Sequence, residues 1–209
     1  MSQLEENKKE FIDLLSSVDR EGVAGLIDYL LLETDFFKAP ASSRYHGSFE
    51  GGLLDHSLNV YYELDSLVDY YGLKLPKDSI IITGLLHDVC KVNTYKKAMV
   101  NVPPDKSKTG KWEKVLKYKK DEDIKMGHGA KSAILVSQYI NLKPEEMEAI
   151  YWHMGSTDLG TYSTIANMSE TYNKNTLAFL LHMADMAAKY ITENNNLYTF
   201  ITPYQADIQ

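Results

Sequence analysis

The residues of this 209-residue chain best suited to chemistry are its six histidines, His46, His56, His87, His128, His153 and His182, together with Asp88 and Asp185. Imidazole nitrogen binds Mn, Fe, Co, Ni and Zn well, and a carboxylate completes a mixed nitrogen–oxygen shell. A lone histidine near a core more often satisfies a structural hydrogen bond, so position must separate the two roles. His56 falls in the first turn of an amphipathic stretch, on the side of Leu53, Val60 and Leu64. His87 and Asp88 are adjacent near the end of the most apolar segment. Asp185 sits inside LAFLLHMADMAA, and His182 precedes it by three residues on the same face. A carboxylate buried in such segments is costly unless it is paired or metal-bound. Four ligand-type groups, His56, His87, Asp88 and Asp185, thus fall on three apolar segments that read as helices. Ligands carried on packed helices are a known way to build a metal site; spacing alone leaves their convergence open.

The elements that must position these groups read mostly as helix. Apolar residues from Leu4 to Val18 form a helical stripe. Gly22 to Phe37 reads as a second helix ending before Pro40, and these form an N-terminal pair over residues 1–38. Ala39 to Gly52 is a loop broken by Pro40, Gly47, Gly51 and Gly52. Leu53 to Tyr71 is amphipathic. Asp78 is expected to cap a buried helix over Ser79 to Lys91. The pattern then changes: Tyr95 to Val102 and Trp112 to Lys119 are rich in β-formers and flank Pro103, Pro104 and Gly110, which predicts a β-hairpin inserted at about 94–120. Helices resume over Gly129 to Ile140 and from Pro144, at the first helical position, to about Met154. Asp158 to Asn175 reads as loop with at most a short helix. Asn175 or Thr176 caps the last helix, through about Thr192, and the tail 193–209 is expected to be polar and weakly ordered. The fold class is therefore mostly all-α with a small hairpin, in one domain over 1–209 whose core runs from 39 to 192.

Composition narrows the function. At 44% hydrophobic and 24% charged the chain suits one globular domain. Gly25 to Leu32, interrupted by Asp28, is far too short to span a bilayer. The start, MSQLEENKKE, lacks the apolar core of a signal peptide. Cys90 is the single cysteine, so no internal disulfide forms and the cytoplasm is the expected home. The net charge of −7 argues against a general nucleic-acid coat protein, yet Lys91 to Lys120 holds ten lysines against Asp105 and Glu113. That segment is either a solvated hairpin or a basic rim drawing in a phosphate-bearing substrate. Tyr45, Tyr95 and Trp112 read as packing residues, with base stacking the alternative. The apolar helices and 15 tyrosines leave room for a homodimer.

GLLDHS around His56, GLLHDVCK around His87, GHGAKSA around His128, YWHMG around His153 and LLHMADMAAK around Asp185 resemble, in order, the motifs of the HD superfamily of metal-dependent phosphohydrolases. The resemblance runs from about Phe37 to Lys189. Within that superfamily, APASSRYHGSFEGGLLDHS looks most like the HD domain of a bacterial 3′-to-5′ exoribonuclease family and its stand-alone relatives. The metal layout resembles HD-GYP cyclic-dinucleotide phosphodiesterases, although the GYP signature is absent.

The resemblance implies an HD-type helical bundle and a divalent transition metal on His56, His87, Asp88 and Asp185. It also implies a second metal bridged by Asp88 and held by His128 and His153. Many two-metal relatives carry a further histidine where this chain has Met154, whose thioether is a poor ligand for hard metals. Lys91 fits the pattern HDxxK and is assigned to a substrate phosphate beside Asp88; Arg44 and His46, in the loop before His56, are phosphate or leaving-group candidates. His182 is a candidate proton donor or a partner of Asp185. The expected function is metal-dependent hydrolysis of a phosphate ester in a nucleotide or short oligonucleotide. The alternatives are a 3′-to-5′ exonuclease on single strands and a non-catalytic metal- or nucleotide-binding module.

Overall fold

The computed structural model describes residues 2–44, 46–103, 112–121, 126–158 and 162–194. Its helices are α1 (Gln3–Ser16), α2 (Val23–Leu32), α3 (Gly52–Tyr70), α4 (Lys77–Leu86), α5 (His128–Ser137), α6 (Pro144–Trp152), α7 (Tyr162–Lys174) and α8 (Thr176–Ala187), with strands β1 (Tyr95–Val102) and β2 (Glu113–Lys120) between α4 and α5. The fold is mostly helical with a two-stranded antiparallel sheet, as the alternation of periodicities implies.

Helix α4 is the axis of the bundle and contacts α1, α3, α6 and α8. Its residues from Ser79 to Leu86 are all buried, which explains why its sequence is apolar on every side. It crosses α3 at Gly84, where an added Cβ would lie 2.8 Å from Tyr61 Cα. Glycine is needed there so that the two backbones can approach. That approach sets the end of α4 against the start of α3, His87 against His56.

Four readings require correction. Asp78 is in the first turn of α4, and the capping position belongs to Pro76. The helix does not run to Lys91: it ends at Leu86, Asp88 leaves helical geometry (φ −111, ψ 17), and a 3-10 turn follows over Val89–Lys91. Residues 162–174 are a helix of 13 residues rather than loop; it packs on α8 through Tyr172, whose ring meets Phe179. Finally, α8 ends in a π turn over Ala188–Thr192, which Thr192 pins by donating to the Glu63 carboxylate, so Glu193 is held on α3 instead of opening a loose tail. Residues 195–209 lie outside the described residues.

Candidate metal centre

Two histidines are set by the same local device. His87 and His153 each follow the last residue of a helix, α4 and α6, and each donates Nδ1–H to the carbonyl three residues back, Gly84 (2.9 Å) and Ile150 (2.7 Å). A carbonyl can only accept, so Nδ1 carries the proton and the Nε2 lone pair faces away from the helix. Helix C-termini carry partial negative charge, and two of them aim at one place, which favours a cation there.

His56 arrives from the first turns of α3. Its Nδ1 is 2.8 Å from Glu193, and its Nε2 lies 3.2 Å from Asp185, 3.6 Å from Asp88 and 3.3 Å from His87 Nε2. Asp88 turns into the same space because α4 has ended, and its turn is held by Ser132 of α5, whose hydroxyl accepts from the Cys90 amide (3.1 Å). Asp88 is 3.6 Å from both His87 and His153, and 2.5 Å from Lys91. His56, His87, Asp88, Lys91, His153 and Asp185 are all 7% exposed or less.

The electrostatics are those of a site waiting for positive charge. Burial pulls His87 down to about 3, which keeps it neutral with a free lone pair. Burial also opposes charge on His56, but the hydrogen bonds its ring donates to Asp185 and Glu193 outweigh it and push the ring up to about 9. At neutral pH the metal-free chain therefore carries a proton on His56 Nε2, at the point where a cation would bind. Burial favours the neutral form of Asp88, yet Lys91 and the surrounding histidines hold its carboxyl well below the usual carboxylate range. Against burial, the hydrogen bond with His56 keeps Asp185 low as well. Two buried atoms, Asp88 Oδ1 and His153 Nε2, have no hydrogen-bond partner although they face each other across 3.6 Å. Buried polar atoms rarely stay unsatisfied. A divalent ion would satisfy both, and the 3.3 Å between His56 and His87 Nε2 matches two nitrogens about 2.1 Å from one ion. The donor set fits the metal.

Each site residue read from the sequence can now be located. His56, His87 and Asp185 form one cluster and His87, Asp88 and His153 another, their donor atoms within 4.8 Å of one another in each. His128 approaches Asp88 from the side of Cys90, and among the described residues no such cluster contains both His128 and His153. His128 Nε2 instead lies 3.3 Å from Lys120 Nζ. His182 stands off the centre: its Nδ1 donates to the His153 carbonyl (2.6 Å), which favours a structural role for it over proton donation or a contact with Asp185. The His46 ring lies 4.8 Å from that of His56, and burial pulls it down to about 4. Arg44 is exposed. Cys90 is buried, which pushes its thiol up to about 12 and leaves it a packing residue. Trp112 is exposed, and Tyr45 lies outside the described residues.

Sequence reasoning missed Glu193 and Asn59, which donates to the same Glu193 oxygen (3.1 Å). The available signal was an acid eight residues beyond Asp185, at the end of the same helix.

Comparison with known proteins bears on this arrangement. The HD domain family matches residues 53–186, from the start of α3 to the end of α8, and so spans every helix that delivers a group to the centre. The chain belongs to the HD domain family. Over 95 residues it is 33% identical to dihydroneopterin 2′,3′-cyclic phosphate phosphodiesterase of Methanocaldococcus jannaschii, a match that covers 44% of this chain and 36% of that relative. No solved structure matches this chain. Among the described residues no helix is long and apolar enough to cross a membrane.

Proposed function

We propose that this protein is a divalent-metal-dependent hydrolase of phosphodiester bonds in a nucleotide or short oligonucleotide. The observation that carries the reading is the convergence of three Nε2 atoms, on His56, His87 and His153, and two carboxylates, Asp88 and Asp185, in a buried pocket with unsatisfied donors. His56, His87, Asp88 and Asp185 would hold the first ion; a second on Asp88 and His153 would need His128 to turn in from the side of Cys90, away from Lys120. The ligands suit Mn, Fe, Co, Ni or Zn. A bound divalent ion lowers the pKa of its water and neutralises phosphoryl oxygens.

The protein's own groups do the rest. Asp88 orients the attacking water with the oxygen left free of Lys91. Lys91, buried and 2.5 Å from Asp88, would offer its positive charge to a non-bridging phosphate oxygen of the substrate. His182 keeps His153 in place through its backbone. The His46 ring lies 4.8 Å from that of His56, and Arg44 lines a groove beside the hairpin. The relative named above is a cyclic phosphate phosphodiesterase, which supports a diester over a monoester.

The test is a panel of 2′,3′-cyclic nucleotides, nucleoside monophosphates and labelled oligonucleotides, run with Mn²⁺ after chelation. Diester cleavage lost in His87→Ala/Asp88→Ala supports the reading. Stepwise release of mononucleotides from an oligonucleotide would make it a 3′-to-5′ exonuclease, the activity of the family its His46 loop resembles. Binding of nucleotide and Mn²⁺ with no turnover would make it a regulatory module and overturn the proposal.

A further inference from the structure

Ser43, Arg44 and Ser48 of the loop before α3 and the hairpin border a groove of about 960 Å³. That is large for the scissile group alone and near the top of the range for small-molecule sites. Among the described residues its lining includes Arg44, Asn101, Lys117, Tyr118, Lys119 and Lys120, and no acidic residue. Both banks reach the metal centre. The loop does so through His46, whose ring lies 4.8 Å from His56; β2 does so through Lys120, 3.3 Å from His128.

The lysines of the hairpin are not all alike. On β1, Lys96 pairs with Asp121 and Lys97 with Glu50. No ion pair among the described residues involves Arg44, Lys117 or Lys119, and these three line the groove. Lys114 of β2 also lacks an ion pair among the described residues and lies outside the groove, so it is the position of Lys117 and Lys119 beside Arg44, in a concavity near the reaction centre, that sets them apart. A cleft lined by one sign of charge concentrates anions of the other sign. The scissile phosphate already has the metal ligands and Lys91 to meet it. Cations further out must meet other negative charge.

We infer that this groove is a subsite for further phosphates of the substrate, so that the preferred substrate is a nucleotide chain with at least one phosphate beyond the one attacked. The inference rests on the phosphodiesterase reading for the direction of the chain into the centre, and the binding arm below stands without it. Arg44, Lys117 and Lys119 contact the additional phosphates.

The experiment measures fluorescein-labelled hexathymidylate binding to the chelated, full-length chain by anisotropy across a salt series. Lys117→Ala/Lys119→Ala weakens binding roughly tenfold, the loss that two exposed charge pairs allow. It also reduces the slope of log affinity against log salt by about 1.4, which is about 0.7 for each single-strand phosphate contact removed. Lys9→Ala/Lys174→Ala removes the same charge outside the groove and changes neither. Equal binding by wild type and the groove variant, or an equal loss in the control, overturns the inference. A second arm compares hydrolysis of dTpdTpdT with that of bis(4-nitrophenyl) phosphate: the preference for the longer substrate falls about tenfold in the groove variant, by the same charge-pair loss. Wild type that binds hexathymidylate but hydrolyses neither substrate sinks the enzyme reading and leaves the groove standing. Wild type that hydrolyses the small diester but does not bind hexathymidylate sinks the groove.

Discussion

Replacing Glu193 by Gln isolates the charge behind His56. The amide oxygen can still accept from His56 Nδ1 and from Asn59, so geometry is kept while the negative charge is lost. The 2.8 Å hydrogen bond, the width of the ring and a metal–nitrogen bond of about 2.1 Å put Glu193 about 7 Å from an ion on Nε2. Metal binding at neutral pH displaces the proton that His56 holds there, because its pKa is about 9, so the gain is that of one extra unit of positive charge. At an effective dielectric constant of about 20 and about 7 Å, one unit of charge is worth roughly 2.4 kcal/mol, or about 50-fold in affinity. That falls inside the 10- to 100-fold range seen when partners of metal-bound histidines are lost. The assay is competition between the metal-free protein and a chromophoric chelator for Mn²⁺ at pH 7, with circular dichroism to confirm folding. A Glu193→Gln dissociation constant within twofold of wild type, alongside a large loss in His56→Ala, would refute the reasoning.

Other consequences can be measured with the same protein. Lys91→Ala leaves Asp88 buried without its cation and lowers the stability of the metal-free chain by roughly 3–5 kcal/mol; thermal melts with and without Mn²⁺ should show a smaller loss when metal is bound. His56, raised in the fold, stabilises the metal-free chain fully below its unfolded value of 6.5 and loses that contribution as pH rises through about 9. His87 and His46, lowered to about 3 and about 4, act oppositely, and stability falls as pH drops from 6.5 toward those values, so melting temperature against pH peaks near neutrality. Gly84→Ala drives a Cβ into the Tyr61 backbone, costs roughly 1–3 kcal/mol by overpacking, and weakens Mn²⁺ binding because His87 and His56 are pushed apart. Arg20→Ala removes the two-pronged hold on buried Glu146, with contacts of 2.6 Å, and should lower the melting temperature without changing metal affinity.

Much of this was legible because burial penalises carboxylates. Asp88 and Asp185 stood out as acids in segments with no other reason to carry one, and His56, His87 and Asp185 meet where their helices pack. The hairpin showed as two stretches rich in β-formers flanking Pro103, Pro104 and Gly110. Other parts depended on events that leave no local trace. The end of α4 at Leu86 is a backbone change that turns Asp88 inward, and an apolar run gives no sign of it. The π turn after α8 redirects Glu193 onto α3 by a shift in hydrogen bonding rather than by a breaker residue. Helix α7 is polar on most faces, so its pattern resembled a loop. His182 shares a face with Asp185, yet the nearest carbonyl, that of His153, claims its ring.

The most direct test of the metal-centred account is the rate of phosphodiester hydrolysis by chelated protein as Mn²⁺ is added back, for wild type and for His87→Ala/Asp88→Ala. The account predicts no turnover at zero metal, recovery that saturates at one or two equivalents in wild type, and none in the variant. Full activity after complete chelation, or metal-restored activity in the variant, would contradict it.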